Sequence, residues 1–111
     1  MTWTHEKISQ VPEVYRDFMV ILKPILDSKR PEAILRITGI PFGRIASLLG
    51  AKYDYDAQAV RLIADNLRRE DFVTEDTLGF FQPTAKGESF IAAVAHEEEK
   101  NVKSVPSLPV V

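Results

Sequence analysis

Two stretches decide how this chain is read: Arg44-Ile45-Ala46-Ser47-Leu48-Leu49-Gly50 and, starting ten residues after that glycine, Val60-Arg61-Leu62-Ile63-Ala64-Asp65-Asn66-Leu67. The first predicts a two-turn helix closed by Gly50 as a left-handed stop, with residues 51–55 forming a turn. The second lies in the best-formed amphipathic helix, expected over residues 56–70, with Asp54 or Asp56 capping its free amides. At 100° per residue, Val60, Ile63, Ala64 and Leu67 share one face. Gln58, Leu62, Asp65 and Arg69 line the opposite face, flanked by Arg61 and Arg68.

On the C-terminal side, residues 72–74 and 78–82 predict two short strands around the polar tip Glu75-Asp76-Thr77, ended by Pro83. Thr84 caps a final helix that turns Phe90, Ile91, Val94 and Ala95 inward. Glu97-Glu98-Glu99 oppose the negative end of its dipole, so fraying is expected there, followed by a flexible tail from Asn101. On the N-terminal side, Ile40-Pro41-Phe42 reads as an extended connector, preceded by a short helix from Pro31 carrying Ala33, Ile34, Leu35 and Ile37 and stopped at Thr38-Gly39. A longer helix is expected over residues 12–28, opened by Pro12 and Glu13 and kinked near Lys23 because Pro24 removes a backbone donor. Residues 1–10 show no periodicity and read as a partly ordered arm around Trp3.

The 111 residues suit one soluble domain, and 14 Lys and Arg against 16 Asp and Glu give a net charge of −2, so basic surface must be local. Residues 29–70 hold eight basic and five acidic side chains, whereas residues 71–111 hold three and seven. The absence of cysteine removes disulfide frameworks, thiolate metal sites and cysteine nucleophiles. No apolar run approaches a membrane span and the first ten residues lack the apolar stretch of a signal peptide, so a cytoplasmic protein is expected.

The order of helices, hairpin and closing helix resembles a winged helix-turn-helix domain. Ile34-Leu35-Arg36-Ile37 is similar to the end of that family's first core helix, and Ile45 to Gly50 to its second-helix phrase. Residues 60–72 look like the recognition helix running into the wing, and Phe80-Phe81-Gln82-Pro83-Thr84-Ala85-Lys86-Gly87-Glu88-Ser89-Phe90 is similar to the last strand and closing helix. The resemblance covers residues 31–96. It divides the chain into an arm and extra helix (residues 1–30), a winged-helix domain (31–100) and a tail (101–111). One departure is that Asp56, six positions after Gly50, stands where the family has a branched apolar residue, which calls for a longer turn.

The resemblance implies duplex DNA binding and transcription regulation through Arg44, Lys52, Gln58, Arg61, Arg68 and Arg69. Against it stand an acidic wing tip and Asp54, Asp56 and Asp65 on or beside the reading face. The alternative is a protein-interaction module using Leu62, Tyr53 and Tyr55 as a small apolar patch. A homodimer through the helix over residues 12–28 is also expected, because Tyr15, Phe18, Met19, Val20, Ile21, Leu22, Ile25 and Leu26 exceed what one face can bury.

Enzymatic readings find no support in the residues. His96-Glu97 lacks the second histidine of a zinc-helix motif, and Gly39 to Gly43 is followed by Arg44 rather than by the Lys-Ser or Lys-Thr of a phosphate loop. The phrase around Ser89 lacks the glycine pattern of a nucleophile elbow. No metal, no cofactor and no catalytic residue is assigned.

Overall fold

A computed structural model describes residues 3–104, with side chains through residue 97. The chain runs α1 (His5–Ser9), α2 (Glu13–Ile21), α3 (Lys23–Asp27), β1 (Ile40–Pro41), α4 (Phe42–Tyr53), α5 (Ala57–Arg69), β2 (Val73–Glu75), β3 (Phe80–Pro83) and α6 (Ala85–Ser104). It is mainly helical, with a small antiparallel sheet in the order β1-β3-β2. No helix among the described residues is long and apolar enough to cross a membrane.

The central helices follow the sequence closely. In α5, Val60, Ile63, Ala64 and Leu67 are buried, and the Asp56 carboxylate accepts a hydrogen bond from the Ala59 amide at 2.8 Å, capping the helix. Leu67 then hands the chain to β2 through Asp71, a non-glycine residue at φ 64°. The hairpin is present, with β2 shifted by one residue from the expected range and β3 starting two residues later than expected. Glu75 belongs to β2, opposite Phe81, whereas Leu78 and Gly79 fall in the tip. Asp76 fixes that tip by accepting from the amides of Leu78 and Phe80 at 2.9 and 3.0 Å. Thr84 accepts from the Gly87 amide at 3.1 Å, the expected cap of α6.

Helix α4 corrects the reading of Gly50. The helix runs through Gly50 to Tyr53 and stops at Asp54, which takes the left-handed conformation at φ 58°. Gly50 is needed for close approach: a Cβ there would lie 3.0 Å from the Tyr55 carbonyl oxygen. The extra residues before Val60 therefore lengthen α4, and the connection to α5 is short. The connector at Ile40 is a strand, β1, paired with β3 through Ile40 opposite Phe81. Pro41 is tolerated because β1 is an edge.

The helix expected from Pro31 does not form. Residues 31–39 contain turns and bends without a helix, with Ile34 97% and Leu35 77% exposed. A seven-residue helix lacks the length to stand alone, and the core position beside α4 is filled by α2. Ser28 holds the segment instead, its buried hydroxyl accepting from the Ile37 amide at 2.9 Å. The segment that reads as an addition in front of the domain therefore packs into the core, with α2 against α4 and α6. It breaks at Leu22 before Pro24, so α2 and α3 are separate.

Phe18, Met19, Leu22 and Ile25 are buried within one chain, while Tyr15, Val20, Ile21 and Leu26 are half-buried against the same core. The apolar surplus that pointed to dimerisation through this helix is covered by α4 and α6, which removes that argument for an interface there. Residues 3–10 of the N-terminal arm are structured: Thr4 caps α1, Ile8 is buried, and Trp3 packs 5.8 Å from Phe72 and 4.9 Å from Phe90 between ring centroids. Helix α6 continues through the acidic run to Ser104. A dipole penalty of about 1 kcal/mol or less cannot end a helix already docked along α2. Residues 101–104 of the expected tail are thus helical, and residues 105–111 lie outside the described residues.

Candidate functional site

Helix α5 presents its outer column because its apolar stripe is anchored on the other side. Gln58, Leu62 and Arg69 are exposed and Asp65 is half-exposed, with Leu62 at 63%. On one flank, Asn66 donates to the Tyr15 hydroxyl at 2.8 Å, tying α5 to α2. On the other, Arg61 donates to both Glu75 oxygens, at 3.0 and 2.7 Å, tying α5 to β2.

The six residues expected to contact DNA divide according to their partners. Arg61 is engaged by Glu75 and lies 3.7 Å from Asp65, with its guanidinium 5.1 Å from the Phe42 ring centroid. The Glu75 hydrogen bond raises the Arg61 pKa against the opposing effect of burial. Arg68 lies 3.3 Å from Glu75 and 3.7 Å from Asp65. Two arginines and two carboxylates thus form one neutral cluster. Lys52 projects from α4 toward α2, bonding Asp17 at 2.6 Å and Glu13 at 3.4 Å. Arg69 donates to the Asn66 side chain at 3.3 Å. Among the described residues, Arg44, Gln58 and Arg69 have no carboxylate partner.

Lys52 belongs to a second cluster that the sequence could not assemble, since its partner lies 35 residues earlier. Burial pushes the Asp17 carboxyl up, but hydrogen bonds from Lys52 and the Tyr53 hydroxyl outweigh it and hold the group below its ordinary value. The same Asp17 bond raises the Lys52 ammonium pKa, while burial and then Asp17 raise the Tyr53 phenol. A cleft of about 280 Å³ opens beside this cluster, lined by His5, Arg16, Asp17, Lys52 and Glu97 among others. His5 meets Glu97 there at 3.1 Å.

Tyr53 and Tyr55 stack with centroids 5.5 Å apart, and Tyr55, in the connection before α5, is 40% exposed. Sequence reasoning missed Glu75 as a site residue because it was placed in a solvated tip. Its register opposite Phe81 brings it beside Arg61, and its side chain is only 12% exposed.

Comparison with models of known protein families, with curated proteins and with solved structures finds no match.

Proposed function

We propose that this chain is a winged-helix module that docks a protein surface through the exposed face of α5. The order β1-β3-β2 beside α4 and α5 supports the winged-helix arrangement, with α2 as its first core helix and residues 76–79 as the wing tip. The observation that carries the functional reading is the engagement of Arg61 and Arg68 by Glu75. Duplex binding draws most of its strength from cations free to replace counterions on phosphates. Here the best-placed arginines are already neutralised, and Asp54 and Asp56 before α5 and Asp76 in the hairpin tip add further negative charge. Leu62, bordered by polar groups of both signs, suits a protein partner better than a polyanion.

Duplex DNA binding is the second reading, favoured by Arg44, Gln58 and Arg69, which keep their polar groups free of carboxylates among the described residues. Fluorescence anisotropy with a mixed-sequence duplex separates the two. Protein docking predicts negligible duplex binding at both about 50 mM and about 200 mM salt. Micromolar binding at low salt that falls steeply between those concentrations would overturn it in favour of DNA.

A further inference from the structure

We propose that the cleft between α1, α2, α4 and α6 is a binding site for a free α-amino acid with an apolar side chain, its carboxylate held by Arg16 and its ammonium facing the carboxylates of Glu13 and Glu97. The observation that carries it is the state of Arg16. This side chain is half-buried on the cleft wall, its Nε–H is shielded from solvent without an acceptor, and it forms no ion pair among the described residues. A cation withdrawn from water in this way costs free energy until an acceptor meets it. Asp17, the next residue, does not serve, because Lys52 and the Tyr53 hydroxyl already take its carboxylate. A carboxylate entering the cleft matches the planar fork of the guanidinium.

The remaining charges select a zwitterion over a simple anion. Glu13, Asp17 and Glu97 stand against Arg16 and Lys52, so the wall carries one net negative charge with His5 counted as neutral. Lys52 and Asp17 satisfy each other at 2.6 Å. Glu13 and Glu97 are only partly engaged, the first 3.4 Å from Lys52 and the second 3.1 Å from His5. These two carboxylates repel a lone anion, and a lone cation leaves Arg16 unpaired, whereas a ligand with one charge of each sign satisfies both. Ile8, Val20 and Val94 supply the apolar part of the lining, with Ile8 and Val94 buried. At about 280 Å³ the cleft falls just below the roughly 300–1,000 Å³ of sites for drug-sized ligands, which suits a molecule of amino-acid size. No residue of α5 lines the cleft, so the site is independent of the docking reading.

The test is an amide NMR titration of the full chain with leucine and its simpler analogues. Leucine should bind with a dissociation constant of about 1 mM or below and shift the amides of residues around the cleft. Isoamylamine, which lacks the carboxylate, and isocaproate, which lacks the ammonium, should each bind about tenfold more weakly or worse. Glycine, without the apolar side chain, should also bind more weakly than leucine. Arg16→Gln should weaken leucine by about tenfold or more. Glu97→Gln, with its fold checked by circular dichroism, should weaken leucine and strengthen isocaproate, a crossed pattern that loss of structure cannot produce, so the site stays testable even where Arg16→Gln fails to fold. The site is overturned by the absence of a localised shift with leucine up to about 20 mM, by isocaproate binding as tightly as leucine, by leucine binding unchanged in a folded Arg16→Gln chain, or by a Glu97→Gln effect of the same sign on both ligands.

Discussion

Glu75 receives two parallel hydrogen bonds from Arg61, 3.0 Å from Nη1 to Oε2 and 2.7 Å from Nη2 to Oε1. The pairing matches the planar fork of the guanidinium to the carboxylate and joins the middle of α5 to the end of β2. Phe42 and Phe81 lie under the same guanidinium, at 5.1 and 5.9 Å, so the ion pair also closes one edge of the core.

Replacing Glu75 by Gln keeps the shape and removes the charge. It should lower stability by about 1 kcal/mol, more than an exposed ion pair contributes and less than a fully buried one. In urea unfolding the midpoint should fall with an unchanged slope. The same change leaves Asp65 as the one carboxylate beside Arg61 and Arg68, so the pair gains net positive charge and affinity for duplex DNA at low salt should rise if their neutralisation is what withholds it. Equal duplex binding by both chains would assign the low affinity to Asp54, Asp56 and Asp65 instead.

Gly87 and Gly43 make an opposed pair of predictions. A Cβ on Gly87 would lie 2.1 Å from the Phe72 carbonyl oxygen and 3.0 Å from the Met19 methyl. That carbonyl already accepts from the Thr84 amide at 3.0 Å, so it cannot retreat without opening the junction of β2 and α6. Gly87→Ala should cost about 3 kcal/mol or more. Gly43, in the first turn of α4, has nothing within 4 Å of the same position, and Gly43→Ala should stabilise by roughly 0.5–1 kcal/mol through helix propensity. Thermal unfolding of the two variants checks both signs.

Local sequence signals carry part of this fold. Thr84 was legible as the cap that opens the final helix, and the column of Val60, Ile63, Ala64 and Leu67 was legible from period alone, because the physics in each case spans one or two turns. Gly50 misled, since a glycine required for approach by a distant carbonyl looks the same in sequence as one required for a left-handed stop. Ile34 and Leu35 misled for the opposite reason: apolar residues suggest a buried helix, but the space beside α4 belongs to Phe18 and Leu22. The candidate arginines were legible as a group. The neutralisation of Arg61 and Arg68 by Glu75 and of Lys52 by Glu13 and Asp17 was not, because it depends on strand register and on helix packing across tens of residues.

Asp17 should make the fold acid-sensitive. Its carboxyl ionises more readily in the folded chain than at the ordinary value of 3.8, because Lys52 and Tyr53 hydrogen-bond the charged form. Its contribution is therefore complete above the unfolded value and is lost as pH falls through the lower folded value. Asp17→Asn should destabilise the chain near pH 7, and the difference from the parent should shrink as pH drops below about 4. Urea midpoints measured from pH 7 to pH 2.5 provide the comparison. A constant difference across that range would show that packing of residue 17, rather than its charge, supports the α2–α4 contact.

Trp3 ties α1 to the rest of the molecule by ring contacts and leaves its indole nitrogen buried without a hydrogen-bond partner among the described residues. The two features act in opposite directions. Packing against Phe72 and Phe90 stabilises, while the orphaned N–H costs part of its desolvation. Trp3→Ala removes both, and since the ring is half-buried the net loss should be about 2 kcal/mol, below the range for a fully buried aromatic. That loss lowers the melting temperature by about 8–16 °C for a domain of this size. Trp3→Phe retains an aromatic ring and deletes the unpaired donor, so its melting temperature should stay within about 4 °C of the parent. Because Trp3 is the single tryptophan, its fluorescence reports the docking of α1 in the parent directly. An emission spectrum at the wavelength of a solvated indole, together with an unchanged melting temperature for Trp3→Ala, would mean that α1 is not held against Phe72 and Phe90 in solution.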